Sequence, residues 1–317
     1  MTTMRWRRDV GPATDAIRSP AVDGTFYPAG PDRLRDLVTA LLDATDRQAD
    51  ATSDSPAGEA AVPRGLLVPH AGLVFSGLVA AAAWRMLDPG RRGDLASGSL
   101  PTTIVLLGTN HGAAWLDGIG VWEAGAWRTP LGDVKVDDDL AAAIVGIGLP
   151  FEVERAAHLG EHSIEVQMPF VQMLVPGARI VPLAVSTGRG ADAVAAGEAL
   201  GGLLAARRAA GERSLLAISS DMAHYPAEGV CERATAALLP SIVDVDAVGL
   251  ARSERAVVDL GTPRLVCGMC GIDPAVVGLA ALRAMGADRG IRLAQATSAR
   301  AGGPADRTVG YLAVAFP

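Results

Sequence analysis

Three short aliphatic runs end in polar, glycine-punctuated turns, and each turn carries a histidine. Run 65–69 leads into Pro69-His70-Ala71-Gly72, run 103–108 into Gly108-Thr109-Asn110-His111-Gly112, and run 214–219 into Ser219-Ser220-Asp221-Met222-Ala223-His224-Tyr225. In open α/β sheets ligands bind beyond the carboxyl ends of the strands, so His70, His111 and His224 are expected to converge on one edge. Imidazole both ligates metals and exchanges protons near neutral pH. Asp221, three residues before His224, is placed to orient that ring and raise its pKa.

A second group is Cys267-Gly-Met-Cys270-Gly-Ile-Asp273-Pro274. Asp273 and Pro274 suit an N-cap and a first helical residue, which puts Cys270 just before a helix N-terminus. The partial positive charge there favours a thiolate, a competent metal ligand. Two other readings stand beside it: a thioredoxin-like redox pair, or two small buried apolar groups, the role expected of Cys231. The third group, His158-Leu-Gly-Glu161-His162-Ser-Ile-Glu165, formally matches the HxxEH zinc-hydrolase string with Glu161 as base. Gly160 and the downstream Pro169 are poor in the continuous helix that chemistry needs, which leaves Glu161 and His162 as candidates for supporting or acid–base roles.

The elements that must position these groups alternate. Residues 65–69, 103–108, 119–122, 178–184, 214–219, 291–297 and 309–316 read as strands, and 31–42, 137–146, 191–208 and 274–285 as helices. The alternation predicts one layered α/β domain over residues 1–317 with a largely parallel or mixed central sheet flanked by helices. Residues 44–64, rich in Asp, Ala, Ser and Gly, read as a mobile surface loop. The alanine-rich runs 80–83 and 191–210 read as closely packed helices.

Composition excludes several classes. The 317-residue chain is half apolar and one-fifth charged, which argues against disorder. Its 28 basic and 35 acidic residues give a net charge of −7, unsuited to gripping phosphate backbones, and nucleic acid is not an expected partner. Lys135 is the only lysine, a bias attributed to coding composition. No apolar stretch reaches the roughly 18 residues of a membrane span, and residues 1–12 carry no secretory pattern, so a cytoplasmic protein is expected. An odd number of cysteines in such a chain disfavours a disulfide framework.

In order along the chain, Arg18-Ser-Pro-Ala-Val-Asp-Gly-Thr-Phe-Tyr27-Pro, Pro69-His70-Ala-Gly, Leu107-Gly-Thr-Asn-His111-Gly, Thr129-Pro-Leu-Gly132, Glu161-His162-Ser-Ile-Glu165, Ser219-Ser-Asp221-Met-Ala-His224 and Cys270-Gly closely resemble the Memo family, called AmmeMemoRadiSam system protein B in prokaryotes. The resemblance implies a fold similar to the class III extradiol ring-cleaving dioxygenases and one metal ion held by His70, His111 and Cys270. A thiolate in place of the dioxygenase carboxylate is softer and shifts preference toward Cu(I) or Zn, with Fe(II) still compatible; the expected ion for a redox centre of this kind is Fe(II) or Cu(I) ahead of zinc. Asp221, His224 and His162 would line the same pocket, His224 exchanging a proton with a bound hydroxyl and His162 stabilising the anion. The expected function is a metal-dependent, dioxygenase-like oxidoreductase acting on a small molecule. The alternatives are a module that binds a peptide or metal without turnover and, more weakly, a zinc hydrolase. The prokaryotic family name also implies association with radical-SAM and AMMECR-type proteins.

Overall fold

The computed structural model describes residues 16–51, 62–88, 100–188 and 190–317. Its centre is an eight-stranded mixed sheet. In spatial order it contains β10 (Ile291–Thr297), β11 (Gly310–Phe316), β2 (Gly65–Val68), β9 (Ser214–Ser219), β3 (Thr103–Thr109), β8 (Arg179–Ser186), β4 (Gly118–Val121) and β7 (Phe151–Val153). The four central strands β2, β9, β3 and β8 run parallel, while β11 and β4 pair antiparallel at their two sides. Burial follows from this layout: β2, β3 and β11 are buried at every position, as strands covered on both faces must be. Their sequences are accordingly near-continuous aliphatic runs. A small second sheet joins β1 (Ile17–Arg18), β5 (Ala126–Thr129) and β6 (Gly132–Lys135).

Helix α2 (Leu73–Trp84) lies against β2, β11 and β10, and α8 (Ile272–Ala284) lies against β9, β3 and β8 with α5 (Ala191–Ala209) packed on it. The packing of α5 on α8 is close enough to demand glycine: a Cβ at Gly197 would come 2.3 Å from the Val277 carbonyl oxygen, and one at Gly201 would come 2.2 Å from that of Ala281. Helices α6 (Glu228–Val243) and α7 (Ala247–Asp259) pack on each other, with α6 against β10 and β11 and α7 against α8. Asp137 caps α3 (Asp138–Val145) by accepting the Leu140 N–H at 3.2 Å.

Three expectations need correction. Helix α1 (Pro31–Ala51) runs nine residues beyond the predicted end, so residues 44–51 of the expected loop 44–64 are helical, and its residues 52–61 lie outside the described residues. The Arg85 guanidinium bonds the Thr45 carbonyl at 2.5 Å, tying α1 to the end of α2. At the other end of that segment Val62 packs on the core and Pro63 is buried. Asp273 is not the cap of α8; Gly271 holds that position, and the Asp273 carboxylate accepts the Gly188 N–H at 3.0 Å. No helix among the described residues is long and apolar enough to cross a membrane.

Candidate metal centre

Because β2, β9 and β3 are adjacent and parallel, the turns that leave them open side by side. His70 follows β2, Asp221 and His224 follow β9, and His111 follows β3. A fourth segment, between β7 and α4 (Met168–Leu174), brings in Glu161 and His162. It crosses so close to the end of β3 that a Cβ on Gly108 would lie 2.5 Å from Ile164 Cγ1 and 2.7 Å from Ser163 Oγ, so only glycine fits there. Cys270 arrives from the turn before α8.

His70, His111 and His162 each present a ring nitrogen, and these three nitrogens lie within 4.8 Å of one another. The rings of His111 and His162 are stacked at 4.6 Å, and His70 meets them edge-on at 5.2 and 5.4 Å. Cys270 Sγ is 3.3 Å from His70 Nε2. Of the family-derived ligands, His70 and His111 belong to the three-nitrogen group and Cys270 adjoins it only through His70; the third member of the group is His162, expected as a pocket-lining residue.

Glu161 organises two of these rings. One carboxylate oxygen accepts the His111 Nδ1–H at 2.9 Å and the His162 and Ser163 N–H groups at 2.8 Å each; the other accepts the His111 N–H at 2.7 Å. Burial works against its charge, but the bonds from His111 and Ser163 outweigh it and hold the carboxyl well below the usual carboxylate range. With its lone pairs so committed, Glu161 fits an orienting role and not that of a hydrolytic base. His158, the other histidine of the HxxEH string, is no ligand either. It sits on a single turn, wholly buried, between Trp122 at 6.1 Å and Trp127 at 5.6 Å, with Nε2 bonded to the Gly120 carbonyl at 2.9 Å.

The segment itself is anchored by charge. Arg18 and Glu165, both with fully buried side chains, pair at 2.6 Å. The same guanidinium stacks on Trp127 at 4.1 Å, donates to the His158 carbonyl at 2.7 Å and bonds the Glu161 carbonyl. Glu165 further accepts the Ala21 and Val22 N–H groups at 2.8 and 3.0 Å and the Tyr27 hydroxyl at 2.6 Å. Residues 18–27 are thereby fixed beside the centre, and Phe26 packs on His162 with ring centroids 4.7 Å apart. Within the motif strings only the charges of Arg18 and Glu165 hinted at this knot.

Asp221 lies beneath the cluster. Its Oδ1 accepts the N–H groups of His70 at 2.8 Å and Ala71 at 3.3 Å, and its Oδ2 is 3.9 Å from His224 Nε2. That last distance exceeds a hydrogen bond, so the expected pairing that would raise the pKa of His224 is not made. Burial, aided by His111 and His162, instead pushes His224 down to about 4, and Asp221 is pushed up to about 7 by burial against the two N–H bonds. Burial lowers His70 and His162 in the same way. The Cys270 thiol is also corrected: burial, then the nearby Asp221, push it well above the ordinary thiol value, which outweighs the helix N-terminus. His224 Nε2 is buried with no hydrogen-bond partner among the described residues.

Imidazoles, two of which (His70 and His162) burial disposes toward the neutral form, a thiol that a cation can convert to thiolate, and the unpartnered ring nitrogen of His224 make a donor set suited to a borderline or soft metal ion. Fold and centre thus define a layered α/β protein with a histidine cluster able to hold a metal ion at the carboxyl ends of its central strands. The family profile described as Memo-like protein matches residues 18–315, and the chain belongs to the Memo family. It is 33% identical over 306 residues to a MEMO1 family protein of Methanopyrus kandleri, covering 94% of this chain and 98% of that one. It is 31% identical over 295 residues to one of Methanothermobacter thermautotrophicus, covering 93% and 98%. A crystal structure of an uncharacterized protein from Escherichia coli K12 aligns with a TM-score of 0.46 at 16% identity, covering 80% of this chain and 99% of that one.

Proposed function

We propose that this Memo-family chain binds one redox-active metal ion, iron or copper, and acts as an oxidoreductase on a small hydroxylated substrate. The observation that carries the reading is the convergence of the His70, His111 and His162 nitrogens within 4.8 Å, with the Cys270 sulfur 3.3 Å from His70. His70 and His111 would hold the ion, with His162 and Cys270 beside them as nitrogen and sulfur donors. When bound, such an ion supplies Lewis acidity and a route for electrons to oxygen.

The protein's own contribution is positioning and proton handling. His224 Nε2, buried and without a hydrogen-bond partner among the described residues, would be the acceptor for a substrate hydroxyl proton. Asp221 braces the His70 turn through two N–H bonds and keeps a carboxyl oxygen 3.9 Å from that nitrogen. Exposed apolar side chains adjoin the site in sequence: Val74 and Phe75 after His70, Trp115 after His111, Tyr225 after His224 and Val266 before Cys267. They favour a ligand with an apolar body and also support the second reading, a pocket that binds a peptide without turnover.

Oxygen uptake decides between the two. Protein purified anaerobically and loaded with Fe(II) or Cu(I) should consume oxygen when given catechol or ascorbate, and His224→Ala should lose that uptake while keeping its metal. Uptake no faster than free metal, in a protein whose metal is bound stoichiometrically, would refute the enzyme reading.

A further inference from the structure

Every ring nitrogen that ligates a metal must be bare, and a neutral imidazole has one bare nitrogen, so the tautomer of His70 decides which atom it offers. His70 Nδ1 is 3.1 Å from Ser219 Oγ, a group able to donate or accept, so this contact by itself leaves the tautomer open. A buried chain of hydrogen bonds behind Ser219 closes the question. Trp84 Nε1, which can only donate, lies 2.9 Å from Gln167 Oε1. The Pro69 carbonyl, which can only accept, lies 2.9 Å from Gln167 Nε2. An obligate donor at one end and an obligate acceptor at the other fix the Gln167 amide in one orientation.

Gln167 Nε2 therefore points its second N–H at Ser219 Oγ, 3.1 Å away. Ser219 has one hydroxyl proton, and it is directed to the Ser163 carbonyl at 2.6 Å. Its proton is thus spent, and its oxygen has one lone pair taken by Gln167 and one left, facing His70. His70 must be the donor. Trp84, Gln167 and Ser219 are all fully buried, and His70 nearly so, leaving water little access to substitute for any link.

We propose that Ser219, oriented by Gln167 and Trp84, is a positioning residue that holds His70 in its Nδ1–H tautomer and so presents a bare Nε2 toward Cys270 and the imidazole cluster. The value of this arrangement rests on the metal-binding reading; the tautomer itself does not. His111 is set the same way by Glu161, whose carboxylate only accepts. His158 is set the opposite way, since its Nε2 donates to the Gly120 carbonyl. The solvated histidine side chain prefers Nε2–H, so the restraint at His70 runs against intrinsic preference.

The test is long-range proton–nitrogen correlation on metal-free, ¹⁵N-histidine-labelled full-length protein near pH 7.5, with His70 assigned by its loss in His70→Gln. His70 should show the Nδ1–H pattern and His158 the Nε2–H pattern in the same spectrum. Ser219→Ala should move His70 to Nε2–H while His158 stays unchanged, the latter showing that the fold is intact. Zinc affinity of that variant should fall by roughly 10–100-fold, as when a ligand's outer hydrogen bond is removed. An Nε2–H pattern for His70 in the wild-type protein overturns the proposal, whether or not Ser219→Ala folds. An unchanged Nδ1–H pattern in folded Ser219→Ala overturns it too. An Nδ1–H His70 in a protein that binds no zinc upholds the tautomer assignment and refutes the metal reading instead.

Discussion

Replacing Arg18 by methionine removes the charge that ties residues 18–27 to the segment carrying Glu161 and His162. The pair it forms with Glu165 is fully buried on both sides at 2.6 Å, so the pair is desolvated and its loss is not cushioned by solvent. Deleting one partner of such a pair costs about 3–5 kcal/mol, because the remaining charge stays buried. Two effects act in opposite directions. Glu165 keeps the Ala21 and Val22 N–H groups and the Tyr27 hydroxyl, which lowers the cost, while the carbonyls of His158 and Glu161 lose their donor and Trp127 its stacked cation, which raises it. The expected loss stays near 3–5 kcal/mol in urea unfolding at pH 7, read by tryptophan fluorescence and far-UV dichroism together. Arg18→Met combined with Glu165→Gln should lose less than the two single losses added, since the double variant leaves no unpaired charge. A loss under about 1 kcal/mol for Arg18→Met, the range of solvent-exposed pairs, would refute the reasoning.

His158 is buried neutral with its pKa pushed down to about 4 by burial, while the unfolded chain titrates near 6.5. Between those values the unfolded state binds the extra proton, so the stability contributed by keeping His158 neutral is full above about 6.5 and declines as pH falls to about 4. Since His158→Gln keeps a donor for the Gly120 carbonyl and does not titrate, the stability of wild type minus variant should rise by about 3 kcal/mol from pH 4 to pH 6.5; a flat difference would contradict it. Gly197→Ala, whose Cβ would meet the Val277 carbonyl oxygen, should destabilise by about 1–3 kcal/mol. Gly202→Ala, with nothing within 4 Å, should be neutral or stabilising by up to about 1 kcal/mol in the same urea titration. Glu161→Gln puts an amide where four N–H donors converge on a carboxylate, and zinc titration should show affinity weakened by roughly 10–100-fold.

The strand-end histidines were legible because the local signal is strong: an aliphatic run that stops at a polar, glycine-bearing turn fixes where His70, His111 and His224 stand relative to the sheet. Nothing local links Arg18 to Glu165 across 147 positions, or Trp84 to Gln167 across 83, so the two buried networks emerge only from the fold. The apolar pattern stops short of the end of helix α1 because its last turns carry few large apolar residues; alanine, arginine and glutamine are good helix formers, and propensity there prevails over pattern. The environments of His224 and Cys270 depart from what the sequence predicts for one shared reason. Spacing shows which charge is near, whereas burial, which dominates both, depends on every element packed around the site.

Cobalt(II) titration of the metal-free protein tests the metal centre most directly. One ion per chain should bind, with a sulfur-to-metal charge-transfer absorption that disappears in Cys270→Ala and persists in Cys267→Ala, and stoichiometric binding should be lost in His70→Ala and in His111→Ala. Equal binding by wild type and His111→Ala, or identical spectra for the two cysteine variants, would contradict the site assigned to these residues.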